Sequence, residues 1–261
     1  MSALAVSHLA AILSPLGQDR AMRAIVCLPT YNERENLEPM LRALGDVLDT
    51  ARDRVLVIDD ASPDGTGELA DRIAAELPYV DVLHRRRKEG LGPAYLAGFG
   101  RALADGAELV LEIDCDFSHD PRDLPRLIAA CEDGADVALG SRYVAGGGIE
   151  NWGLVRRAIS AWGSLYARVL LGVPVRDLTG GFKCFRRHVL ERIDLDAISA
   201  RGYAFQIETT YRALRAGFRV VEVPIRFHDR RAGGSKMSRT IVLEAIWRVP
   251  ALRLLALARR V

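Results

Sequence analysis

The sequence predicts an α/β protein, a mostly parallel sheet flanked by helices. Three observations carry this: short apolar runs recur between residues 24 and 140, amphipathic segments of helical spacing separate them, and polar, chemistry-bearing residues follow each run. Apolar runs of five or six residues read as strands buried on both faces, which need helices above and below them.

Taken in order, "AIVCL" (24–28) is the first strand and "ENLEPMLRALGDVLDTA" the helix after it. "RVLVID" (54–59) is followed by helical "GTGELADRIAAEL", and "VDVLH" by helical "GPAYLAGFGRALADG". "ELVLEID" leads into "PRDLPRLIAACEDG", and "ADVALG" (135–140) closes the series. Internal repeats and low-complexity segments are absent.

The 261 residues are 49% hydrophobic and 27% charged, enough to bury a sizeable core. A formal charge of +2 gives no argument for a nucleic-acid partner. Cys27, Cys115, Cys131 and Cys184 lack C-x-x-C spacing and read as reduced thiols of a cytosolic protein. Residues 1–22 lack the basic start and cleavage site of a secretory signal and read as a flexible extension. No run of about 18 uncharged apolar residues predicts a membrane span.

Ligands of open α/β sheets bind beyond the carboxyl ends of the strands. The segments there are "PTYNE" (29–33), "DDASPDGT" (59–66), "RRRKEGLG" (85–92), "DCDFSHD" (114–120) and "GSRY" (140–143). In an extended chain Asp114 and Asp116 point to the same side, where two carboxylates repel unless a cation lies near. Hard oxygen donors suit Mg²⁺ or Mn²⁺, and Mg²⁺ usually takes one or two carboxylates with substrate phosphates. Asp120 instead reads as the cap of the helix that Pro121 starts, and Asp64 as a cap or turn former beside Gly65. The glycines of 85–92 match neither a dinucleotide fingerprint nor a P-loop.

"LPTYNERENL", "VLVIDDASPDGTGELA", "RKEGLGPAYLAGF", "DCDFSHDP", "GSRYV", "LTGGFKCFRR" and "GYAFQIE", in this order, resemble the polyprenol-phosphate (dolichol-phosphate) mannosyltransferases. These are inverting glycosyltransferases of family 2 with the GT-A fold, and the resemblance covers residues 23–240. It implies that Pro29, Tyr31 and Glu33 hold guanine and ribose, with Ile58 and Asp60 at the base-contacting strand end. It makes Asp116 the main metal ligand, Asp114 a sugar or metal contact, Cys115 the middle of the D-x-D, and Ser118 a weaker third ligand. Arg142 is implied at the diphosphate and, with Arg156 and Ser160, at the acceptor phosphate. Arg230 and Lys236 of the basic loop "RFHDRRAGGSKMSR" are carried over to the diphosphate. The nucleophile is a lipid phosphate, already anionic, so no general base is assigned and His119 reads as structural.

Residues 151–171 form an apolar stripe with arginines at its flanks. Periodicity alone favours a core helix; the resemblance favours an interfacial helix guiding the lipid. Residues 241–261 read as an amphipathic basic helix at an anionic surface, since Glu244, its arginines and Pro250 argue against a span. The resemblance therefore implies transfer of mannose from GDP-mannose to polyprenyl monophosphate by a metal-dependent, peripheral enzyme at the cytoplasmic membrane face, with a separate membrane-anchoring partner conceivable. A UDP-glucose-dependent relative and a catalytically silent nucleotide-sugar or lipid-phosphate binding module are the rivals.

Overall fold

A computed structural model of the chain describes residues 22–198, 202–230 and 239–259. All of the expected extension but Met22, and Lys236, lie outside the described residues.

The chain runs β1 (Ala24–Thr30), α1 (Arg34–Val47), β2 (Asp53–Asp59), α2 (Thr66–Glu76), β3 (Val80–His84) and α3 (Leu91–Ala104). Then come β4 (Leu109–Glu112), α4 (Leu124–Glu132), β5 (Val137–Ser141), β6 (Gly148–Ile149) and α5 (Leu154–Leu171). β7 (Lys183–Arg186), α6 (Arg187–Arg192), α7 (Gly202–Arg215), β8 (Val220–Pro224), β9 (Arg226–Phe227) and α8 (Arg239–Arg259) complete it. The predicted strands and helices appear within a few residues of their expected bounds.

The main sheet has the order β3-β2-β1-β4-β7-β5-β8, and β6 pairs β9 separately. All its pairings are parallel except those of β7, which is antiparallel to both β4 and β5. Strand alternation divides the core. Val26, Leu28, Val55 and Val57 face Leu37, Met40 and Leu41 of α1 and Ala70 and Ile73 of α2. Ile25, Cys27, Leu56 and Ile58 face Ala94, Tyr95 and Phe99 of α3, and Phe205 of α7 joins the same cluster. A Cβ on Gly98 would lie 2.4 Å from Ile58 Cδ1, so glycine lets α3 approach β2. A third cluster joins Ala167 and Leu171 of α5 to Tyr211 of α7 and Val249 and Leu252 of α8, so the C-terminal helix shares the domain's core. All four cysteines are buried, and none is in a disulfide.

The topology matters for the site. From β1 the chain moves outward to β2 and β3, then crosses back to β4 on the other side of β1. The crevice at that reversal, between the ends of β1 and β4, is where an open α/β sheet accepts a ligand.

Candidate active site

The end of β4 carries the acid pair. Asp116 is buried, accepting from Ser118 N at 3.0 Å and pairing with Arg230 Nε at 3.0 Å. Asp114 keeps part of its surface open to the cleft and accepts from Tyr95 Oη at 3.4 Å. Its carboxyl is pushed up to about 7, first by burial and then by the neighbouring Asp116, with Arg230 opposing. Two carboxylates that disfavour each other's charge, with a guanidinium drawn onto one of them, fit a divalent cation. Among the described residues no three His, Cys, Asp or Glu side chains converge. A pair of carboxylates suits an ion whose coordination substrate phosphates complete. Ser118 is buried beside them, and its carbonyl accepts from His228 N at 3.0 Å, tying the basic segment to the acid loop. The Cys115 side chain turns into the core with Ile113 and Leu124.

His119 is buried, stacked on Phe182 at 5.0 Å and edge-on to Phe227 at 5.0 Å. Burial pushes its pKa down to about 4, so it is neutral and shaped for packing. Asp120 caps the 3-10 turn Pro121–Asp123 through Arg122 N at 3.0 Å. Asp64 accepts from Thr66 N at 3.0 Å and from Thr66 Oγ1 at 2.6 Å, before a left-handed Gly65 at φ 84°. Both are local turn formers, as their spacing suggests.

On the other side of the crevice, Pro29 is the last residue but one of β1 and Tyr31 is half-buried, with Lys88 Nζ 3.6 Å above its ring. Glu33 is buried, accepts from Asn36 Nδ2 at 2.9 Å, and its own N–H donates to Thr66 Oγ1 at 3.1 Å. The Ile58 side chain is wholly buried among Cys27, Gly98 and the α3 core. Asp60 accepts from Arg85 Nη1 at 2.5 Å, Gly90 N at 2.8 Å and Glu89 N at 3.1 Å, so its carboxylate folds the 85–90 loop.

Arg142 leaves the end of β5 almost wholly buried, in a bidentate pair with Asp177 at 2.7 Å on both contacts. It opens onto a cavity of about 370 Å³ lined by Tyr143, Gly147, Gly148, Ile149, Arg157, Ala158 and Ala161. Ser160 reaches this corner through Tyr143, whose hydroxyl donates to Ser160 Oγ at 2.8 Å. Arg156, next to Arg157, is not in that lining: its guanidinium lies 3.9 Å over the Trp152 ring and pairs with Asp229 at 2.9 Å. The cavity wall also carries Arg157 and Tyr143, which the sequence does not single out. The only signal in the sequence was that two neighbouring arginines on a helix point about 100° apart, consistent with 3.6 residues per turn.

α5 is apolar on both faces. Ala167 and Leu171 enter the core, while Ile159, Trp162, Leu165, Tyr166 and Val169 are exposed, Trp162 by 70%. Trp247, Leu254 and Leu255 of α8 are exposed as well. Contiguous exposed apolar side chains mark an interaction face. Among the described residues no helix is long and apolar enough to cross a membrane.

Comparison with known proteins agrees with this geometry. Residues 25–194 match the family described as glycosyl transferase family 2. The chain is 49% identical over 228 residues to a polyprenol monophosphomannose synthase of Mycolicibacterium smegmatis, covering 87% of this chain and 85% of that protein. It is 50% identical over 225 residues to an undecaprenyl-phosphate mannosyltransferase of Micrococcus luteus, covering 86% and 91%. A dolichol-phosphate mannosyltransferase of Pyrococcus furiosus is 36% identical, over 85% of this chain and 61% of that longer protein. Among solved structures, glucosyl-3-phosphoglycerate synthase of Mycobacterium tuberculosis bound to phosphoglyceric acid superposes with a TM-score of 0.66 at 19% identity, over 87% of this chain and 80% of that one. The same protein solved with Mn²⁺, UDP and glucosyl-3-phosphoglycerate gives 0.64 at 20% identity, again over 87% and 80%. At such identity these two structures speak for the GT-A fold alone.

Proposed function

The chain belongs to glycosyl transferase family 2, and on that premise we propose that it transfers mannose, with inversion, from GDP-mannose to a polyprenyl monophosphate. The observation that carries this reading is two anion sites of different character on one sheet edge. One is the Asp114–Asp116 pair with Arg230 on Asp116, suited to a cation and a diphosphate. The other is the cavity of Arg142 and Arg157 with walls of Ile149, Ala158 and Ala161, suited to a phosphomonoester on an apolar chain.

Asp114 and Asp116, with Ser118 beside them, would hold Mg²⁺ or Mn²⁺, which when bound stabilises the departing diphosphate charge. Tyr31 offers its ring to the base, Glu33 shapes that end of the slot, and Asp60 keeps the 85–90 loop against it. Arg230, joined by Lys236 of the same basic loop, adds positive charge at the diphosphate. Arg142, Ser160 and the arginine pair Arg156 and Arg157 draw the acceptor phosphate in and screen it from the donor's charge. The acceptor oxygen is already ionised, so a neutral, buried His119 fits a site that needs no general base. The bond to C1 breaks as the acceptor oxygen approaches from the opposite face, through an oxocarbenium-like transition state.

The test is direct. Protein supplied with Mg²⁺ or Mn²⁺, labelled GDP-mannose and a short polyprenyl phosphate forms lipid-linked mannose and GDP. Product formed only from UDP-glucose would reassign the donor, and no product from either would remove the enzymatic reading.

We place the protein at the cytoplasmic membrane surface through the exposed faces of α5 and α8. Replacing Trp162 and Trp247 together by Ser lowers partition onto anionic vesicles by about tenfold or more, since each buries a large aromatic surface at the interface. Sedimentation with vesicles of phosphatidylcholine and phosphatidylglycerol reads this. Partition equal to the parent's moves the membrane face away from these helices.

A further inference from the structure

Arg142 does not stand alone in the wall of its cavity. Asp177, fully buried, accepts from Arg142 N at 3.0 Å, Nε at 2.7 Å and Nη2 at 2.7 Å. Thr179 Oγ1 accepts from the same Nη2 at 2.9 Å and lies 3.1 Å from Ser164 Oγ. Ser164 is on α5, one turn beyond Ser160, which the Tyr143 hydroxyl reaches at 2.8 Å. Two hydrogen-bonded bridges, four residues apart on one helix face, therefore tie the end of β5 to α5.

The loop that supplies Asp177 and Thr179 is itself anchored. Glu222 of β8 accepts from Arg176 N at 2.9 Å, Asp177 N at 3.0 Å and Ser141 Oγ at 2.7 Å. Burial alone raises the Asp177 carboxyl, and the Arg142 guanidinium more than reverses this, so the pair is fully charged. A guanidinium held in plane by a carboxylate and a hydroxyl keeps one direction of approach to an incoming anion, whereas a lysine could not be oriented in this way.

We propose that Asp177 and Thr179 are positioning residues that set Arg142 for the acceptor phosphate, with Thr179–Ser164 transmitting the placement of α5. The latch orients the arginine without touching substrate. It is a further assignment resting on the reading that this cavity takes a prenyl monophosphate.

The test uses the full chain and two readouts. Farnesyl phosphate is titrated by calorimetry, and mannose transfer is assayed for KM and kcat. Thr179→Val, close in shape to the parent, weakens farnesyl phosphate about tenfold, the cost of one charge-assisted contact and its relay. It raises the acceptor KM alike, while the melting temperature stays near the parent's. Thr179→Ser restores both. On an Arg142→Lys background, Thr179→Val changes farnesyl phosphate affinity by less than twofold, because the group it orients is gone. Unchanged affinity in Thr179→Val, or its full effect persisting on Arg142→Lys, overturns the latch. Asp177→Asn is the stronger variant where it folds, with a larger loss expected. If the parent binds farnesyl phosphate and loses it in Thr179→Val but transfers no mannose, the latch stands and the mannosyl reading falls.

Discussion

Asp116→Ala reduces mannose transfer by about a thousandfold or more, with the fold intact. The expectation follows from what the carboxylate does. It is 3% exposed, it anchors Arg230 at 3.0 Å, and it turns the loop through Ser118 N at 3.0 Å. Losing it removes a proposed cation ligand and the partner of a diphosphate cation together. Several kcal/mol of leaving-group stabilisation correspond to about three powers of ten or more in rate. Asp116→Asn separates the parts. The amide can keep the Ser118 turn and still lacks the charge, so it loses nearly as much activity with a parental melting curve. Single-turnover assays with labelled GDP-mannose, alongside calorimetric Mn²⁺ binding, make the measurement. Near-parental turnover in either variant takes the acid pair out of the chemistry. Absent turnover with unchanged cellular function favours the binding module.

Much of this site was legible because strand ends obey a simple rule. "LVLEI" is apolar and "DCD" is not, and the period of two places Asp114 and Asp116 together while Cys115 turns into the core. The parallel strands declared themselves by unbroken apolar runs. β7 did not. "KCFR" is four residues with a cation at each end, and its place between β4 and β5 is set by partners far away in sequence. Asp177 was equally silent: nothing local to "VRDLTGG" says that its carboxylate receives a guanidinium 35 residues upstream. Likewise Ile58 and Asp60 sit at a strand end, as a base contact should. Only tertiary packing shows one in the core under Gly98 and the other filled by the 85–90 loop. Position along a strand is a local property, and whether a polar group is already taken is not.

The hidden strand supports a second large effect: Lys183→Met destabilises the protein by about 3 kcal/mol, a fall of roughly 6–12 °C in melting temperature for a chain of this size. Lys183 is fully buried, donating to Gln206 O at 3.0 Å, to Gln206 Oε1 and to Thr209 Oγ1 at 3.3 Å. Its register partner across the antiparallel pair is Glu112, also fully buried, with Nζ 3.9 Å from Oε2. Neither Glu112 oxygen has a hydrogen bond of good geometry among the described residues, so its charge is compensated first by Lys183 and then by the Gln206 side chain beside it. Burial raises the Glu112 carboxyl and lowers the lysine to about 8, each drawn back toward charge by the other. Remove the lysine and Glu112 takes a proton, which caps the loss below that of a stranded charge. Removing both is different. Glu112→Leu with Lys183→Met leaves no buried ion and returns most of the melting temperature, as apolar replacement of buried pairs often does. Yet the pair does more than bond. A one-residue slip of β7 would send Lys183 to the opposite face of the sheet and leave Glu112 alone, so the ion pair penalises every register but the native one. Glu112 lies two residues before Asp114 on the strand that aims the acid pair. The double variant therefore melts near the parent but loses transfer activity several-fold, because β4 is no longer pinned. Parental activity in a stable double variant would reduce the pair to a packing device.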